Sequence, residues 1–596
     1  MTALRRLRLV ISIGFRAQPV LAALAIGLSI LSSIAGPLSA AALGSFLDAA
    51  TAGNTASART AAAAAAVAIT WVVSMLAGYA STHVAFALHM YTIRIVMSDV
   101  MSISGRAPTI EFHERPDVAD RVELMQRDVK GLAFAMTSLV WAIGIVVQLT
   151  TTVVILVSVH LALVLLPLLG IPSLVAGARA QRLRLRVREE IVEDKRLSDH
   201  LFRLGTTAEP GKEVRIFGLA RELFDRHRAV RTTLLVRQRR AEVSATKGTV
   251  LGWLAYAVGY AGAIVFVTLL AVDGQATTGD VILVISLAGQ IQFQLDGAVE
   301  LMGEFIRNLR TADHYVWLSR FVDEDVARRR STAPTPDRLR QGIRFESVTF
   351  RYPGTDVDVL KGIDLTIPEG TALAVIGVNG AGKTTMAKLL AGFYEPTAGR
   401  ITVEGVDLRD LDLNEWRARM SACFQDFVHF EYPAMESVGL GELAGIANER
   451  WVERAVARAS AGDVIESLPA GLATLLGREY GEGVELSTGQ WQKVALGRTM
   501  MREDPLLLVL DEPSASLDAY TEHALFERYA RASERAGREI GAITILISHR
   551  FSTVRMADLV VVLEDGRIVQ SGTHAELERE QGAYRELYEL QARAYR

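Results

Sequence analysis

An all-α transmembrane domain of six helices, followed by an α/β domain with a mainly parallel sheet, is the fold class this sequence predicts. Three observations predict it. The N-terminal half holds six long apolar stretches with few or no charges. From about residue 341 onward, short apolar strands alternate with helices, the βαβ rhythm of an α/β domain. Within that second half, the apolar run Ala372-Leu373-Ala374-Val375-Ile376 feeds a glycine-rich turn, Gly377-Val378-Asn379-Gly380-Ala381-Gly382-Lys383-Thr384, and then a helix from Met386 to Leu390.

Composition bounds the reading. At 596 residues the chain exceeds a single ordinary core, and 50% of it is apolar. A net charge of −3 says little about partners, because the charge is unevenly placed. The single cysteine, Cys423, excludes an intrachain disulfide and a cysteine-based metal site within one chain, and it fits a reducing compartment.

The apolar stretches lie at roughly 20–43, 61–86, 132–156, 161–178, 250–272 and 281–303. Each is near or above the ~20 residues a helix needs to cross a bilayer. Only a short segment around His160 separates the third from the fourth, and the sixth turns amphipathic after Ala288. A cleaved signal peptide is the competing reading of the first, since Ser39-Ala40-Ala41 resembles a small-residue cleavage site. That stretch is too long for a signal peptide, and five more spans follow. Basic residues set the orientation. Arg5, Arg6, Arg8 and Arg16 precede the first span, and Arg179, Arg182, Arg184, Arg186 and Arg188 follow the fourth. The opposite connections are nearly devoid of Lys and Arg: residues 273–279 have none, and 44–60 have only Arg59. The expected arrangement is a multi-pass protein of the inner (plasma) membrane, with the N-terminus, both long connections (about 89–130 and 180–248) and the C-terminal half in the cytoplasm. Those connections are too long for loops and read as helices continuing into the cytosol. Linker-like composition with Pro334 and Pro336 divides the chain into 1–327, a linker 328–340, and 341–596.

The glycine-rich turn carries the chemistry. Its glycines let backbone N–H groups approach phosphate oxygens, and the helix N-terminus favours the negative charge. Gly377, Asn379, Gly380, Ala381, Gly382, Lys383, Thr384 and Thr385 are the candidate nucleotide contacts. Lys383 is placed to reach the β- and γ-phosphates of ATP, and the Thr384 hydroxyl to ligate Mg²⁺. Further along, the apolar run Leu506–Leu510 ends in two carboxylates. Asp511 is placed to hold the Mg²⁺ shell, and Glu512 to polarise the attacking water. The strands expected in this half are Phe345–Phe350, Leu373–Ile376, Leu506–Leu510, Ile543–Ile547 and Leu559–Leu563.

Further motifs follow in order, and with them the chain resembles the ABC transporters. Leu486-Ser487-Thr488-Gly489-Gln490 is similar to that family's signature sequence, and Gln425 in Cys423-Phe424-Gln425-Asp426 to its Q-loop. Ala515-Ser516-Leu517-Asp518 resembles its D-loop, and His549 in Ile547-Ser548-His549-Arg550 its switch histidine. Tyr352 stands where the family stacks an aromatic ring on adenine. With the six spans, the resemblance covers essentially the whole chain and implies an exporter-type half-transporter: one membrane domain fused to one P-loop NTPase domain with a helical subdomain.

The resemblance implies a dimer with ATP between the phosphate loop of one chain and the signature of the other, so that Ser487, Thr488, Gly489 and Gln490 act in trans. It also implies that Gln425 senses Mg²⁺ and the attacking water, that Asp518 belongs with the nucleotide-binding residues, and that His549 bonds the γ-phosphate. Glu512, His549 and Gln425 are the implied catalytic set, and Thr384, Gln425 and Asp511 the Mg²⁺ set. Two departures stand out: Thr488 replaces the commoner glycine, and the D-loop reads Ala-Ser where Ser-Ala is usual. Residues 209–218 and 111–117 resemble the short coupling helices that dock onto nucleotide-binding domains.

The implied function is ATP-driven export of an amphiphilic substrate such as a peptide, natural product, drug or lipid. Import of a metal chelate, or lipid flipping, on the same architecture are the alternatives. The expected partners are a second half-transporter (identical or a paralogue), membrane lipid and the cargo, with no nucleic acid. Along the sixth span Gln292, Asp296 and Glu300 share one helix face. They read either as a polar stripe lining a cavity for cationic or amphiphilic cargo, or, more plainly, as a cytosolic helix extension with Glu304 paired with Arg307.

Overall fold

A computed structural model describes residues 3–52, 57–329, 333–478, 481–513, 534–548, 550 and 554–594. The chain divides into two compact units, Met1–Ile103 with Val122–Ser319, and Ser104–Arg121 with Arg320–Arg596.

The first unit is all helix. A short amphipathic helix, Ala3–Ala17, precedes the long ones, an element the hydropathy pattern alone does not single out. Among the described residues six helices are long and apolar enough to cross a membrane: Pro19–Thr51, Ala58–Gly105, Val129–Val159, Leu161–Glu190, Ala220–Val272 and Thr278–Phe305. Each contains one of the expected spans. The helix Ala220–Val272 has 53 residues, so at ~1.5 Å per residue it is far longer than a ~30 Å hydrocarbon layer. The long connections are therefore continuations of the spanning helices. Pro37 sits inside an unbroken helix.

The break between the third and fourth spans falls at His160. Its backbone is extended, and its ring Nδ1 accepts from the Ala162 backbone N–H at 3.1 Å, capping the next turn. Elsewhere small residues let helices meet at backbone distance. A Cβ on Gly279 would lie 2.2 Å from the Gly44 carbonyl oxygen, and one on Gly252 would lie 2.6 Å from Ser173 Cα. Asp48 fixes the same corner by accepting from the Gly279 backbone N–H at 2.7 Å and the Thr277 hydroxyl at 2.8 Å. Outward faces stay apolar: Trp71 is 56% exposed and Leu254 58%, as fits a surface solvated by lipid rather than water.

The second unit contains two sheets. Strands β1 (Ile343–Arg351), β2 (Asp358–Ile367), β4 (Ala398–Val403) and β5 (Val406–Asp407) form an antiparallel sheet in the order β2-β1-β4-β5. Strands β3 (Ala372–Gly377), β6 (Met420–Cys423), β7 (Leu507–Asp511), β8 (Ile543–Ile547), β9 (Leu559–Glu564) and β10 (Arg567–Gly572) form the second, ordered β10-β9-β3-β8-β7-β6. That sheet is parallel except for β10, which pairs antiparallel with β9. The five expected strands are β1, β3, β7, β8 and β9. The hydropathy pattern does not reveal the antiparallel sheet as a sheet, because its strands alternate or are interrupted by glycine and lack the continuous apolar run of a strand buried on both faces.

One core fills the space around the two sheets and the helix Lys383–Leu390, with Phe345, Leu389, Leu390 and Trp416 fully buried or nearly so. Trp416 is 0% exposed and its indole N–H donates to the Leu390 carbonyl at 2.8 Å. Trp416→Ala is expected to destabilise this unit by about 3–5 kcal/mol, against about 1–3 kcal/mol for Trp416→Phe, which loses chiefly the hydrogen bond. Thermal unfolding of the two purified variants checks the order. A second core belongs to a helical region, where Val452 and Ala455 of the helix Glu449–Arg458 and Trp491, Val494 and Leu496 of the helix Thr488–Thr499 are buried in one cluster.

The segment Ser104–Arg121 falls in this second unit, and it carries the short helix Glu111–Glu114. Phe112 is 1% exposed, Glu114 pairs with Lys388 at 3.3 Å, and the Arg417 guanidinium donates to the Pro108 carbonyl at 2.6 Å. The other expected docking segment forms the helix Gly211–Ile216 in the first unit, where Ile216 is 78% and Phe217 67% exposed.

Candidate functional site

Strand β3 ends in the phosphate loop, and the loop's shape requires its glycines. Gly377, Gly380 and Gly382 have φ of +155°, +85° and +103°, a region L side chains rarely adopt. At Gly377 a Cβ would also stand 2.2 Å from the Leu563 carbonyl oxygen, whereas at Gly380 it would meet open space. Gly382 leads directly into the helix Lys383–Leu390, so the first free N–H groups of that helix face the loop. A cavity of about 750 Å³ opens here, lined among others by Tyr352, Asn379, Lys383, Thr384, Gln425 and Glu512.

Lys383 is 7% exposed, and its Nζ donates to the carbonyls of Gly377 at 2.8 Å and Val378 at 3.1 Å. Burial pulls its pKa below the usual lysine range, against the raising influence of Glu512 and Asp511. Asp511, 1% exposed at the end of β7, accepts from the Thr384 hydroxyl at 2.7 Å. Burial lifts its carboxyl above the ordinary range, with the Thr384 bond opposing and the adjacent Glu512 reinforcing. Glu512 follows with φ +48° and donates its backbone N–H to the Ile547 carbonyl at 2.9 Å. Its side chain accepts from the Gln425 amide at 3.1 Å. Tyr352 hydrogen-bonds Thr385 at 3.0 Å across the same mouth, and its ring meets Phe350 and Tyr394 edge-on.

The structure thus brings together Tyr352, Gly377, Asn379, Gly380, Gly382, Lys383, Thr384, Thr385, Gln425, Asp511 and Glu512. Ala381 lies beneath the loop, 3% exposed. Ser487, Thr488, Gly489 and Gln490 are not among the lining residues. They form the first turn of the helix Thr488–Thr499, where Ser487 Oγ accepts from the Gln490 N–H at 3.3 Å and Gln490 Oε1 accepts from the Ser487 N–H at 2.8 Å. Ser487 and Thr488 are exposed. Asp518 and His549 lie outside the described residues. One residue without an assigned role in the motif reading is Gln492: 4% exposed, it donates to the Glu512 carbonyl at 3.1 Å and so holds the carboxylate's backbone. It stands two residues past the signature, and only packing shows what it touches.

The donors fit a nucleotide and a hard cation. The backbone cradle and Lys383 suit phosphate, and the Thr384 hydroxyl beside the Asp511 carboxylate is an oxygen set of the kind Mg²⁺ prefers. Residues 360–515 match the ABC transporter family, and residues 22–295 match the ABC transporter transmembrane region. The ATP-dependent lipid A-core flippase of Chromohalobacter salexigens is 40% identical over 257 residues, 43% of this chain and 42% of the relative. The mitochondrial potassium channel ATP-binding subunit of Homo sapiens is 36% identical over 324 residues, 54% and 42% respectively. The match therefore spans 42% of the length of each of these relatives. A flippase of the same name from Alcanivorax borkumensis is 29% identical over 72% of this chain and 71% of its own. A solved bacterial Atm1-family ABC exporter with ATP bound superposes with a TM-score of 0.78 at 25% identity, over 97% of this chain and 98% of its own. Two family matches in this order, with one fold over nearly the whole length, establish that the chain belongs to the ABC transporters, carrying a transmembrane region and a nucleotide-binding domain in one polypeptide.

Proposed function

We propose that this chain is one half of a dimeric exporter that hydrolyses ATP to move an amphiphilic substrate across the inner membrane, with its N-terminus and nucleotide-binding domain in the cytoplasm. The observation that carries the reading is the separation just described. The phosphate loop, Gln425 and Glu512 share one cavity, while the signature turn at Ser487–Gly489, exposed at Ser487 and Thr488, lies outside it. A signature that does not reach its own chain's nucleotide is available to that of a second chain.

In the proposed mechanism Lys383 leaves the Gly377 and Val378 carbonyls for the β- and γ-phosphates. Its charge is then paired by phosphate rather than by neutral acceptors. Thr384 and Asp511, already 2.7 Å apart, would hold Mg²⁺, which supplies charge neutralisation at the phosphate oxygens. Glu512 takes the proton of the attacking water, and Gln425 positions that carboxylate through its amide. Gln492 keeps the Glu512 backbone in place. Tyr352 offers its ring to the adenine. The second chain's Ser487 turn closes over the γ-phosphate with its helix N-terminus. Loss of that phosphate removes the charge holding the chains together, which reopens the dimer.

The apolar spanning helices support an amphiphilic cargo, and the flippase relatives support a lipid within that class. The test is vectorial. Inverted vesicles containing the protein are expected to accumulate a fluorescent amphiphile when ATP is added. Accumulation only in right-side-out vesicles would favour import instead, and ATP hydrolysis with no movement in either orientation would sink the transport reading.

A further inference from the structure

A second cavity, of about 560 Å³, lies wholly inside the first unit, bounded by the helices Pro19–Thr51, Ser57–Gly105, Pro116–Val159 and Thr278–Arg328. Its lining is unusual for a membrane interior in being rich in hydroxyls: Ser29, Ser32, Ser33, Ser81 and Thr82 all face it. Four of these have their proton committed elsewhere. Ser29 donates to the Val140 carbonyl at 3.2 Å, Ser32 to Ser74 at 3.0 Å, Ser81 to Ala25 at 3.2 Å and Thr82 to Gly78 at 3.0 Å. What they present to the cavity is lone pairs.

Glu300 and Glu304, one turn apart on the sixth spanning helix, complete the wall. An ionised carboxylate accepts and cannot donate. Basic neighbours cancel this only in part: Arg307 approaches Glu304 at 3.7 Å, and Arg184, within electrostatic reach of Glu300, is held by Glu242 in hydrogen bonds of 2.9 and 2.6 Å. The Gln148 side-chain amide, which also lines the cavity, carries donors. Trp141 and Phe134, in edge contact at 5.6 Å, add aromatic surface on which a cation is stabilised. The recess depends on two glycines, since a Cβ on Gly144 would lie 2.5 Å from Ser29 Oγ and one on Gly78 would lie 2.9 Å from Ser32 Oγ.

Glu300 stands about 33 Å along its helix from Thr278, near the far end of the span. A chamber of acceptors in a low-dielectric wall is costly unless N–H or O–H donors enter it. Asp296, the acid that the helix-face pattern singles out, is not in the lining and accepts from Gln292 at 3.3 Å.

We propose that this cavity recognises a cationic nitrogen bearing N–H donors, a primary ammonium or a guanidinium, on the amphiphilic substrate. The inference rests on the export reading for its use, and on the cavity alone for binding. Its test is therefore a binding measurement without ATP. Octylamine, trimethyloctylammonium and octanol are titrated calorimetrically into the full chain in nanodiscs, with empty nanodiscs subtracted. Octylamine is expected to bind saturably, trimethyloctylammonium more weakly because it lacks N–H groups, and octanol not at all above background. Glu300→Gln and Glu304→Gln are each expected to weaken octylamine binding roughly tenfold, the loss of one charge-assisted hydrogen bond, and Glu304→Asp to recover part of it. Equal binding of octanol and octylamine to the wild-type chain would overturn the site, and that comparison needs no variant to fold. So would octylamine binding unchanged in the double Gln variant. Saturable amine binding in a protein that moves nothing in vesicles would instead overturn export and leave the site standing.

Discussion

Glu512→Gln is expected to reduce steady-state ATP hydrolysis by about 10²-fold or more, the scale of a lost general base, while nucleotide stays bound. The substitution is nearly isosteric. The backbone of residue 512 is held from two sides, its N–H by the Ile547 carbonyl and its carbonyl by Gln492, so the side chain should keep its place. What changes is that an amide cannot take the proton of the attacking water. The site then closes over ATP without turning it over. Release of labelled phosphate, measured beside retention of labelled ATP on a filter, separates the two effects. Hydrolysis at the wild-type rate would show that another group is the base.

The second large effect concerns the composite site. Lys383→Ala and Ser487→Asp, made in separate chains, are each expected to lower ATPase activity by about 10²-fold, the cost of losing or opposing a main phosphate contact. Aspartate is chosen because it caps a helix as well as serine does, so the turn at Thr488–Thr499 should survive while its charge opposes the γ-phosphate. Alanine at 487 would confound the result by removing the cap. If the signature acts in trans, a mixed dimer keeps one intact site, formed by the normal loop of the Ser487→Asp chain and the normal signature of the Lys383→Ala chain. Co-reconstituted variants should then recover activity well above either parent. Failure to recover would mean that both elements serve the same chain's nucleotide, or that identical chains do not pair.

The parts of the molecule that sequence made legible are those whose chemistry is local. A phosphate loop is a run of consecutive residues whose backbone geometry is dictated by glycine, so Gly377, Gly380 and Gly382 announce it directly. Spanning helices are legible because a bilayer demands long apolar runs. The largely buried strands β3, β7, β8 and β9 are nearly continuous in apolar residues, and that pattern places their ends to within one residue. By contrast β2, β4 and β10 carry interspersed polar or glycine residues, and they emerge as strands only from their pairing, β2 and β4 with β1 in the antiparallel sheet and β10 with β9 at the edge of the other.

The sequence by itself determined that a six-span membrane region precedes a phosphate-binding α/β domain, because both rest on consecutive residues and on the solvent each segment needs. Only the tertiary structure decided which groups face one another. It set Gln492 against the Glu512 backbone and left the Ser487 turn outside its own phosphate cavity. It also gathered Ser29, Ser81 and Glu300, more than two hundred positions apart at the extremes, around one chamber, while Asp296 turned to Gln292. The physical reason is the same in each case. A side chain's role depends on the groups that desolvate it and accept its protons, and those come from distant parts of the chain.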